Sequence, residues 1–236
     1  MTRVGLLRTM LRGAPEDPAG EADRLFTAAA QAAAPELTAL AERLGRDWIN
    51  ERDHLQPTYR RALESAAAAA WPRPQVSPLL GSGLERCWPR IGKFDVSLRW
   101  SNATTVFGEL KCGSDEGTLG ACAWDAPKCA MAVRCGTAAA AHLIAAAPAT
   151  LWKRRALGVE LLADAEWEMA DVRARYASHF TKYEKDGYKP VRVPERLRTV
   201  AVGPTGFTVA DRPWRRGVAR VEPVGEGWLD WVPFLG

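Results

Sequence analysis

Residues 94–111, FDVSLRWSNATTVFGELK, decide the fold because they predict two short strands joined by a turn. Apolar and polar residues alternate in the first half, and the second half is rich in β-branched and aromatic residues, which are both strand patterns. Ser101 and Asn102 between the two halves are common turn residues. The stretch therefore predicts an antiparallel hairpin that brings Asp95 near Glu109.

The hairpin carries two carboxylates and a lysine in the spacing Asp95-x13-Glu109-x-Lys111. Side chains along a strand alternate between its two faces, so Glu109 and Lys111 leave on the same face. Facing carboxylates can bind a hard divalent cation through their oxygen atoms, and a neighbouring lysine can orient a water or contact a phosphate. The alternative is an amphipathic hairpin with its charges in solvent. Against it, the run around Glu109 is apolar, and buried charges need partners or a metal.

The register of the hairpin determines whether the two acids meet. A two-residue turn centred between Ser101 and Asn102 would pair Asp95 with Gly108 and turn the aspartate to the wrong face. A three-residue loop or a bulge would instead pair Asp95 with Glu109. We therefore expect an odd-numbered loop or a bulge.

An aspartate, followed a hairpin later by Glu-x-Lys and then by a helix, resembles the PD-(D/E)XK nuclease superfamily over roughly residues 57–148. The resemblance implies a small mixed sheet in the order helix, three-stranded meander, helix, strand. It implies that Asp95 and Glu109, with the backbone carbonyl of Leu110, bind Mg²⁺, for which Mn²⁺ can substitute. Lys111 corresponds to the catalytic lysine.

The family often adds two further residues, a helical glutamate upstream of the hairpin and a basic or polar residue on the following helix. Glu64 is the first candidate for the glutamate and Glu85 the second. Alternatively, Glu64 is a surface residue that pairs with Arg60 or Arg61. Lys128 is the candidate for the basic residue.

The function implied by the resemblance is metal-dependent hydrolysis of phosphodiester bonds in DNA. The alternative is a catalytically inactive nucleic-acid-binding or protein-interaction domain on the same scaffold. The sequence does not distinguish a DNA substrate from an RNA substrate, or endonuclease activity from exonuclease activity. A homodimer is compatible with the resemblance, since many nucleases cut two strands as dimers.

Composition is consistent with a globular protein. The chain has 236 residues, 47% of them hydrophobic and 25% charged, and a net charge of +4. This mild positive charge is compatible with a phosphate-bearing partner. No apolar run approaches the ~18–20 residues of a membrane span, and no secretory signal is evident, so we expect a cytoplasmic protein without a membrane partner. The five cysteines lack zinc-site spacing and are interpreted as buried, reduced thiols.

We expect an α/β (α+β) fold, a restriction-endonuclease-like mixed sheet flanked by helices. Four segments would form one compact unit. They are an N-terminal tail and helical region (1–56), the PD-(D/E)XK-like core (57–150), a helical segment with a basic linker (151–190), and a β-rich C-terminal extension (191–236).

Hydrophobic periodicity predicts helices over 21–44, 57–71, 118–136, 151–163 and 166–185. The resemblance implies that 84–88 is the first strand of the meander, and that the apolar, alanine-rich run 138–147 is the buried strand that follows the helix. Pro35 predicts a kink or break in the first helix, and Gly45 its end. Pro127 predicts a kink or restart near Asp125. The Pro-, Gly- and Ser-rich segment 72–83 predicts a loop.

The last forty residues predict three or four antiparallel strands. Within them, Trp214 and the neighbouring arginines could stack on a base and neutralise phosphates. The favoured interpretation is that Trp214 packs in the core and the arginines are solvated. His142, in an apolar run, is interpreted as a core histidine.

Overall fold

The computed structural model describes residues 13–45, 48–81, 93–154, 158–176, 191–203, 205–209 and 212–232. Its described part is mixed α/β, with an eight-stranded sheet that has a hydrophobic cluster on each face. The helices are α1 (Pro18–Leu44), α2 (Gln56–Ala68), α3 (Glu116–Leu119), α4 (Cys122–Arg134), α5 (Ala149–Lys153) and α6 (Met169–Arg175). A π-helical turn, Glu51–Leu55, precedes α2, and a 3₁₀ turn covers Val159–Leu162.

The strands are β1 (Gln75–Gly81), β2 (Lys93–Arg99), β3 (Thr105–Cys112), β4 (Ala140–Pro148), β5 (Ala165–Glu168), β6 (Val191–Ala201), β7 (Thr205–Val209) and β8 (Arg212–Val232). Their order in the sheet is β1-β2-β3-β4-β8-β6-β5, and β7 pairs with β8. The first three form an antiparallel meander, and β4 lies parallel to β3. A parallel neighbour requires a crossover, which α3 and α4 provide.

The β2–β3 hairpin has the three-residue loop that the sequence predicts. Trp100 and Thr104 close it through the amide of Trp100, which donates to the carbonyl of Thr104 at 3.0 Å. Ala103, the last loop residue, has a φ of 68°. A left-handed residue at this position is typical of three-residue hairpin loops.

The loop sets the register that brings the two acids together. Val96 pairs with Gly108, and the pairs between this position and the loop have the same register. One further step along both strands places Asp95 opposite Glu109, as a three-residue loop requires. The β2–β3 pairing ends at Val96, whereas β2 continues beside β1 to Lys93. The two strands therefore separate at the position of the acids.

Helix α1 is continuous through Pro35, so the predicted kink or break does not end it. Asp17 caps its first turn, and Gly45, with a φ of 60°, ends it as predicted. A proline removes one backbone hydrogen bond. The buried face of α1 includes Leu25 and Phe26, and this packing outweighs that loss because tertiary contacts supply most of the stability of a helix.

Strand β4 confirms the predicted buried strand in the alanine-rich segment. All of its residues except Pro148 are buried. Alanine is a poor strand former, but small side chains let helices approach the sheet closely on both faces. Tertiary packing therefore overrides local propensity here.

Several predicted elements differ from the structure. The segment predicted as a loop over 72–83 contains β1, while the predicted strand 84–88 lies outside the described residues. In the crossover, the helical structure is interrupted at Gly120 and Ala121, between α3 and α4, and not near Asp125 as predicted. Pro127 is accommodated within α4 as its sixth residue, where it removes one backbone hydrogen bond without ending the helix.

The predicted helices over 151–163 and 166–185 are replaced by shorter elements. The first region contains the end of α5 and the 3₁₀ turn, and the second contains β5 and α6, with 177–190 outside the described residues. Met169, Val172 and Tyr176 are buried, so the apolar stripe was recognised although the element is shorter. Trp167 instead lies on the edge strand β5, which an alternating pattern of only four residues could not reveal.

The C-terminal segment forms antiparallel strands as predicted, namely β6, β7 and β8. Strand β8 pairs with β4 from Val221 at Ala141 to Trp214 at Pro148, so this segment extends the same sheet. Trp214 is 1% exposed and packs in the core, as the favoured interpretation expects. Among the helices within the described ranges, none has the length and apolar character needed to cross a membrane.

Candidate active site

Charged side chains from four elements converge where β2 and β3 separate. Asp95 comes from β2, Glu109 and Lys111 from β3, and Lys128 from α4, and the structure brings all four together. Two further acids join them. We call the set the carboxylate–lysine cluster, and it consists of Glu51, Asp95, Glu109, Lys111, Asp125 and Lys128.

Asp95 is held by two hydrogen bonds. The backbone amide of Leu110 donates to its Oδ2 at 2.8 Å, and the side-chain amide of Gln56 donates to its Oδ1 at 2.8 Å. The carboxylate thereby takes a backbone donor on β3 at the point where the β2–β3 ladder ends. Burial raises the pKa of Asp95, and the nearby ammonium of Lys111 opposes that rise.

Lys128 contacts Glu109 and is almost inaccessible to solvent, with 3% of its surface exposed. Its Nζ is 2.8 Å from Glu109 Oε1 and 3.4 Å from Asp125 Oδ1, and it donates to the carbonyl of Lys93 at 3.2 Å. The ammonium also lies 4.8 Å from the centre of the Phe94 ring. These contacts fix Glu109 from the helix side.

Lys111 lies at the centre of the cluster. Its Nζ is 3.2 Å from Asp125 Oδ2, 3.5 Å from Glu51 Oε1 and 3.9 Å from Glu109 Oε1. It also donates to the carbonyl of Leu110 at 3.3 Å. One ammonium therefore contacts three carboxylates and a backbone carbonyl, which are the oxygen donors that hard divalent cations prefer.

The cluster has more acid than base, with four carboxylates and two ammonium groups. The pKa of Glu109 is raised to about 8, mainly by burial; Lys128 and Lys111 lower it, whereas the neighbouring Asp125 and Asp95 contribute to the rise. Burial also raises the pKa of Glu51. Glu109 Oε2 is buried and has no hydrogen-bond partner. A divalent cation would supply the positive charge and the oxygen contact that this carboxylate lacks.

Within the described ranges, no group of three or more His, Cys, Asp or Glu side chains is arranged to hold a metal directly. The ammonium of Lys111 lies between the carboxylates instead. Because the carboxylate oxygens already surround this positive charge, their chemistry fits a cation. A bound cation would have to take over contacts that Lys111 makes in this arrangement.

Glu51 is the cluster residue that sequence reasoning missed. It begins the π-helical turn, in which the amide of Leu55 donates to the carbonyl of Asn50 at 3.0 Å. Its Oε2 accepts the amide of Cys112 at 3.3 Å. Asn50 followed by Asp53 is a capping pattern that marks a helix start before Pro57, and this signal could have placed Glu51 on a helix.

Glu64, the predicted upstream acid, lies outside the cluster. Its side chain is 52% exposed and lies 3.7 Å from Arg60, which is the surface alternative that the sequence also offered. Glu85 lies outside the described residues. Among the described acids that precede the hairpin, Glu51 contacts the cluster, through Lys111.

Asp125 was identified in the sequence only as a place for a helix restart. In the structure it is 4% exposed and contacts both lysines of the cluster. Those two ammonium groups lower the pKa of Asp125 against the effect of its burial. An acid three residues before a lysine on a helix faces the same side, and that spacing was the available signal.

Three of the cysteines, Cys112, Cys122 and Cys129, are buried free thiols, as expected, whereas Cys135 is exposed. Cys87 lies outside the described residues. Burial raises the pKa of each buried thiol, so none is a reactive thiolate at neutral pH.

Comparison with known proteins adds no relative. No family model matches the chain, and neither a curated protein nor a solved structure matches it. The function of the chain is therefore inferred from the geometry of the cluster.

Proposed function

We propose that the protein is a Mg²⁺-dependent nuclease of the PD-(D/E)XK type that hydrolyses phosphodiester bonds of DNA. The observation that carries the proposal is the convergence of Asp95, Glu109 and Lys111 where β2 and β3 separate. The element order also supports it. Helix α2, the meander β1–β3, helix α4 and strand β4 follow the order helix, three-stranded meander, helix, strand that the resemblance implies.

The metal ligands proposed are Asp95, Glu109 and the backbone carbonyl of Leu110, with Glu51 as an additional acid. Glu109 Oε2 is a buried oxygen without a hydrogen-bond partner, and Glu51 Oε1 lies 3.5 Å from Lys111 Nζ. When bound, Mg²⁺ would lower the pKa of a coordinated water and offset charge on the attacked phosphate. Mn²⁺ offers the same preference for oxygen ligands and is expected to substitute.

The protein side chains would have distinct roles. Lys111 is 14% exposed at its side chain and would orient the attacking water or contact the scissile phosphate. Lys128 is too deeply buried to reach a substrate and would instead position Glu109. Gln56 would position Asp95 through its hydrogen bond to Oδ1.

The decisive experiment is incubation of the full chain with supercoiled plasmid, linear duplex and single-stranded DNA in Mg²⁺ or Mn²⁺. Asp95→Asn and Lys111→Met should each reduce the cleavage rate by about 100-fold or more, since metal and charge stabilisation are worth several kcal/mol. Glu64→Gln is the matched control and should keep the wild-type rate, because Glu64 lies on the exposed face of α2.

Circular dichroism and thermal melts would confirm that the variants fold. The proposal is rejected when the wild-type protein cleaves none of these substrates, or when Asp95→Asn and Lys111→Met cleave like the wild type. The cytoplasmic location and the homodimer remain predictions, and size-exclusion chromatography tests the latter.

A specific observation favours a second candidate, the inactive binding or interaction domain. Lys111 and Lys128 contact the carboxylates so closely that the cluster resembles a buried ion-pair network. Such networks can specify a fold without any chemistry. This candidate predicts no heat of Mg²⁺ or Mn²⁺ binding in calorimetry and no turnover, whereas the nuclease requires both.

A further inference from the structure

A pocket of about 470 Å³ lies at the end of the sheet where β4 stops and β8 begins. Its lining includes Trp48, Ser114, Thr150, Arg212 and Trp214. Its volume is within the range of about 300–1,000 Å³ typical of ligand sites. Trp214 forms a buried wall, whereas Trp48 is 39% exposed and presents part of its indole to solvent.

The pocket and the carboxylate–lysine cluster share two chain segments. Trp48 lies three residues before Glu51, and Ser114 lies three residues after Lys111. Cys112 connects the segments, because its Sγ donates to the carbonyl of Ile49 at 3.4 Å. Three extended residues span at most about 11 Å. Trp48 and Ser114 therefore each lie within about 11 Å of a cluster residue, measured between Cα atoms.

The charge around the pocket favours an anionic occupant. Arg212 is part of the lining, and none of the described lining residues is acidic. Arg215, two residues after Pro213 on β8, is exposed. Lys153 and Arg154, which follow the lining residue Thr150 at the end of α5, are also exposed. Asp115, beside Ser114, is exposed and accepts a hydrogen bond from Thr118, and its charge offsets part of this positive charge.

The aromatic side chain suggests which part of a nucleotide would enter. Trp48 packs against the His54 ring at a centroid distance of 6.0 Å, which limits its motion while part of it stays exposed. An exposed, fixed indole next to cations is the combination that single-strand-binding proteins use for bases and phosphates. A paired base in a duplex cannot stack on a side chain in this way without leaving its helix.

We propose that this pocket binds an unpaired nucleotide, with its base on Trp48 and its phosphate near Arg212. The inference rests on the proposed nuclease function, which would bring a DNA strand to the carboxylate–lysine cluster. It specifies the substrate class as DNA with a single-stranded segment beside the scissile bond. The pocket thereby gives the cluster a preference for single strands or for junctions with an unpaired end.

The test is fluorescence anisotropy of a labelled single-stranded oligonucleotide with the full chain in EDTA, which prevents cleavage. Trp48→Ala should weaken binding by about 5- to 150-fold, the range expected for the loss of one stacked base. Trp48→Phe should lose less, because a smaller ring still stacks. Trp71→Ala is the matched control, since Trp71 is 69% exposed and is not a lining residue of this pocket.

Two other probes identify the contact. An oligonucleotide of the same length with abasic residues should bind wild type and Trp48→Ala equally, and a blunt duplex should show no effect of the substitution. The inference is overturned when Trp48→Ala binds the normal single strand like the wild type, or loses equal affinity for the abasic strand or the duplex.

The outcomes separate the two proposals. A wild-type protein that cleaves no DNA, but whose single-strand affinity depends on Trp48 as above, would retain the pocket and refute the nuclease. A metal-dependent nuclease whose Trp48→Ala variant binds normally would retain the nuclease and refute the pocket.

Discussion

Two polar networks lie on opposite faces of the sheet, only one residue apart on β3. Glu109 points into the carboxylate–lysine cluster, whereas the neighbouring Gly108 lies against Phe26 of α1 and pairs with His142 on β4. On that second face, His142 Nε2 is 2.6 Å from Asp23 Oδ1. We call this second set the α1-face network, and it consists of Asp23, His142, Arg220 and Glu222.

The two networks differ in how well their acids are matched. In the α1-face network, both oxygens of Asp23 have partners, Oδ1 with His142 and Oδ2 with Arg220. Burial lowers the pKa of His142, so at neutral pH the uncharged ring donates from Nε2 to Asp23. In the cluster, by contrast, Glu109 Oε2 lacks a hydrogen-bond partner and its pKa is raised to about 8.

This contrast indicates which network is structural. A carboxylate with both oxygens paired stabilises the fold, and this holds for Asp23 even though the buried Nδ1 of His142 has no hydrogen-bond partner. A buried carboxylate with an unpaired oxygen costs stability unless a ligand completes it. Such groups are concentrated at functional sites, where stability is commonly traded for activity. We therefore expect substitutions in the carboxylate–lysine cluster to reduce metal affinity, and substitutions in the α1-face network to reduce the free energy of unfolding.

The largest effect is expected for Glu109→Gln. The variant should lose Mg²⁺ and Mn²⁺ affinity by about 100-fold or more, because the amide removes the negative charge that a metal requires. Its free energy of unfolding in EDTA should equal or exceed that of the wild type. Isothermal titration calorimetry measures the first quantity and urea denaturation the second.

The pH dependence of that stability difference has a definite sign. The folded pKa of Glu109 is about 8 against an ordinary 4.5, so the folded state keeps a proton that the unfolded chain releases. This stabilising contribution is complete below about pH 4.5 and is lost as the pH rises through about 8. Glu109→Gln does not lose this contribution, so its free energy of unfolding relative to the wild type should increase as the pH rises over that range. A variant that is less stable than the wild type at pH 9 would contradict the assignment of Glu109 as unmatched.

The second effect is expected for Asp23→Asn on the opposite face. This substitution removes a charged acceptor from Arg220 and should lower the free energy of unfolding by about 1–3 kcal/mol. Metal affinity should stay within about twofold of the wild type, because Asp23 lies on the other side of the sheet. A fall in metal affinity comparable to that of Glu109→Gln would show that the two networks are coupled.

The smallest effect is a pH dependence of metal binding in the wild-type protein. Because a metal displaces the proton of Glu109, affinity should rise by up to about tenfold per pH unit below pH 8 and level off above it. Calorimetry in two buffers of different ionisation enthalpy would also detect the released proton. A constant affinity between about pH 6 and pH 8 would argue that Glu109 is already ionised in the folded protein.

The sequence predicted the hairpin and its acids because these depend on local rules. Strand alternation placed Glu109 and Lys111 on one face, and the requirement that Asp95 face Glu109 predicted an odd-numbered loop or a bulge. The family resemblance, which implies a basic residue on the following helix, placed Lys128 on that helix. These relations involve residues close in sequence, so no knowledge of tertiary packing was required.

The remaining parts depend on contacts between distant residues. Glu51 reaches Lys111 across 60 positions, and its helical turn was assigned to no element because the visible helix pattern began at Pro57. Glu64 was preferred because it lies on an evident helix, but its side of that helix faces solvent. Similarly, β1 forms in a segment rich in turn residues, since pairing with β2 supplies the stability that its composition lacks.

The loop at Ala103 has a consequence for how the chain tolerates change. Val96, Leu98 and Trp100 all point into the core on the α1 face, and this alternation fixes the same strand alignment that the loop length fixes. Deleting one loop residue would set these two constraints against each other, about 20 Å from the acids at the other end of the hairpin. An exposed loop with no chemistry of its own is therefore as intolerant of length variation as the acids are of substitution.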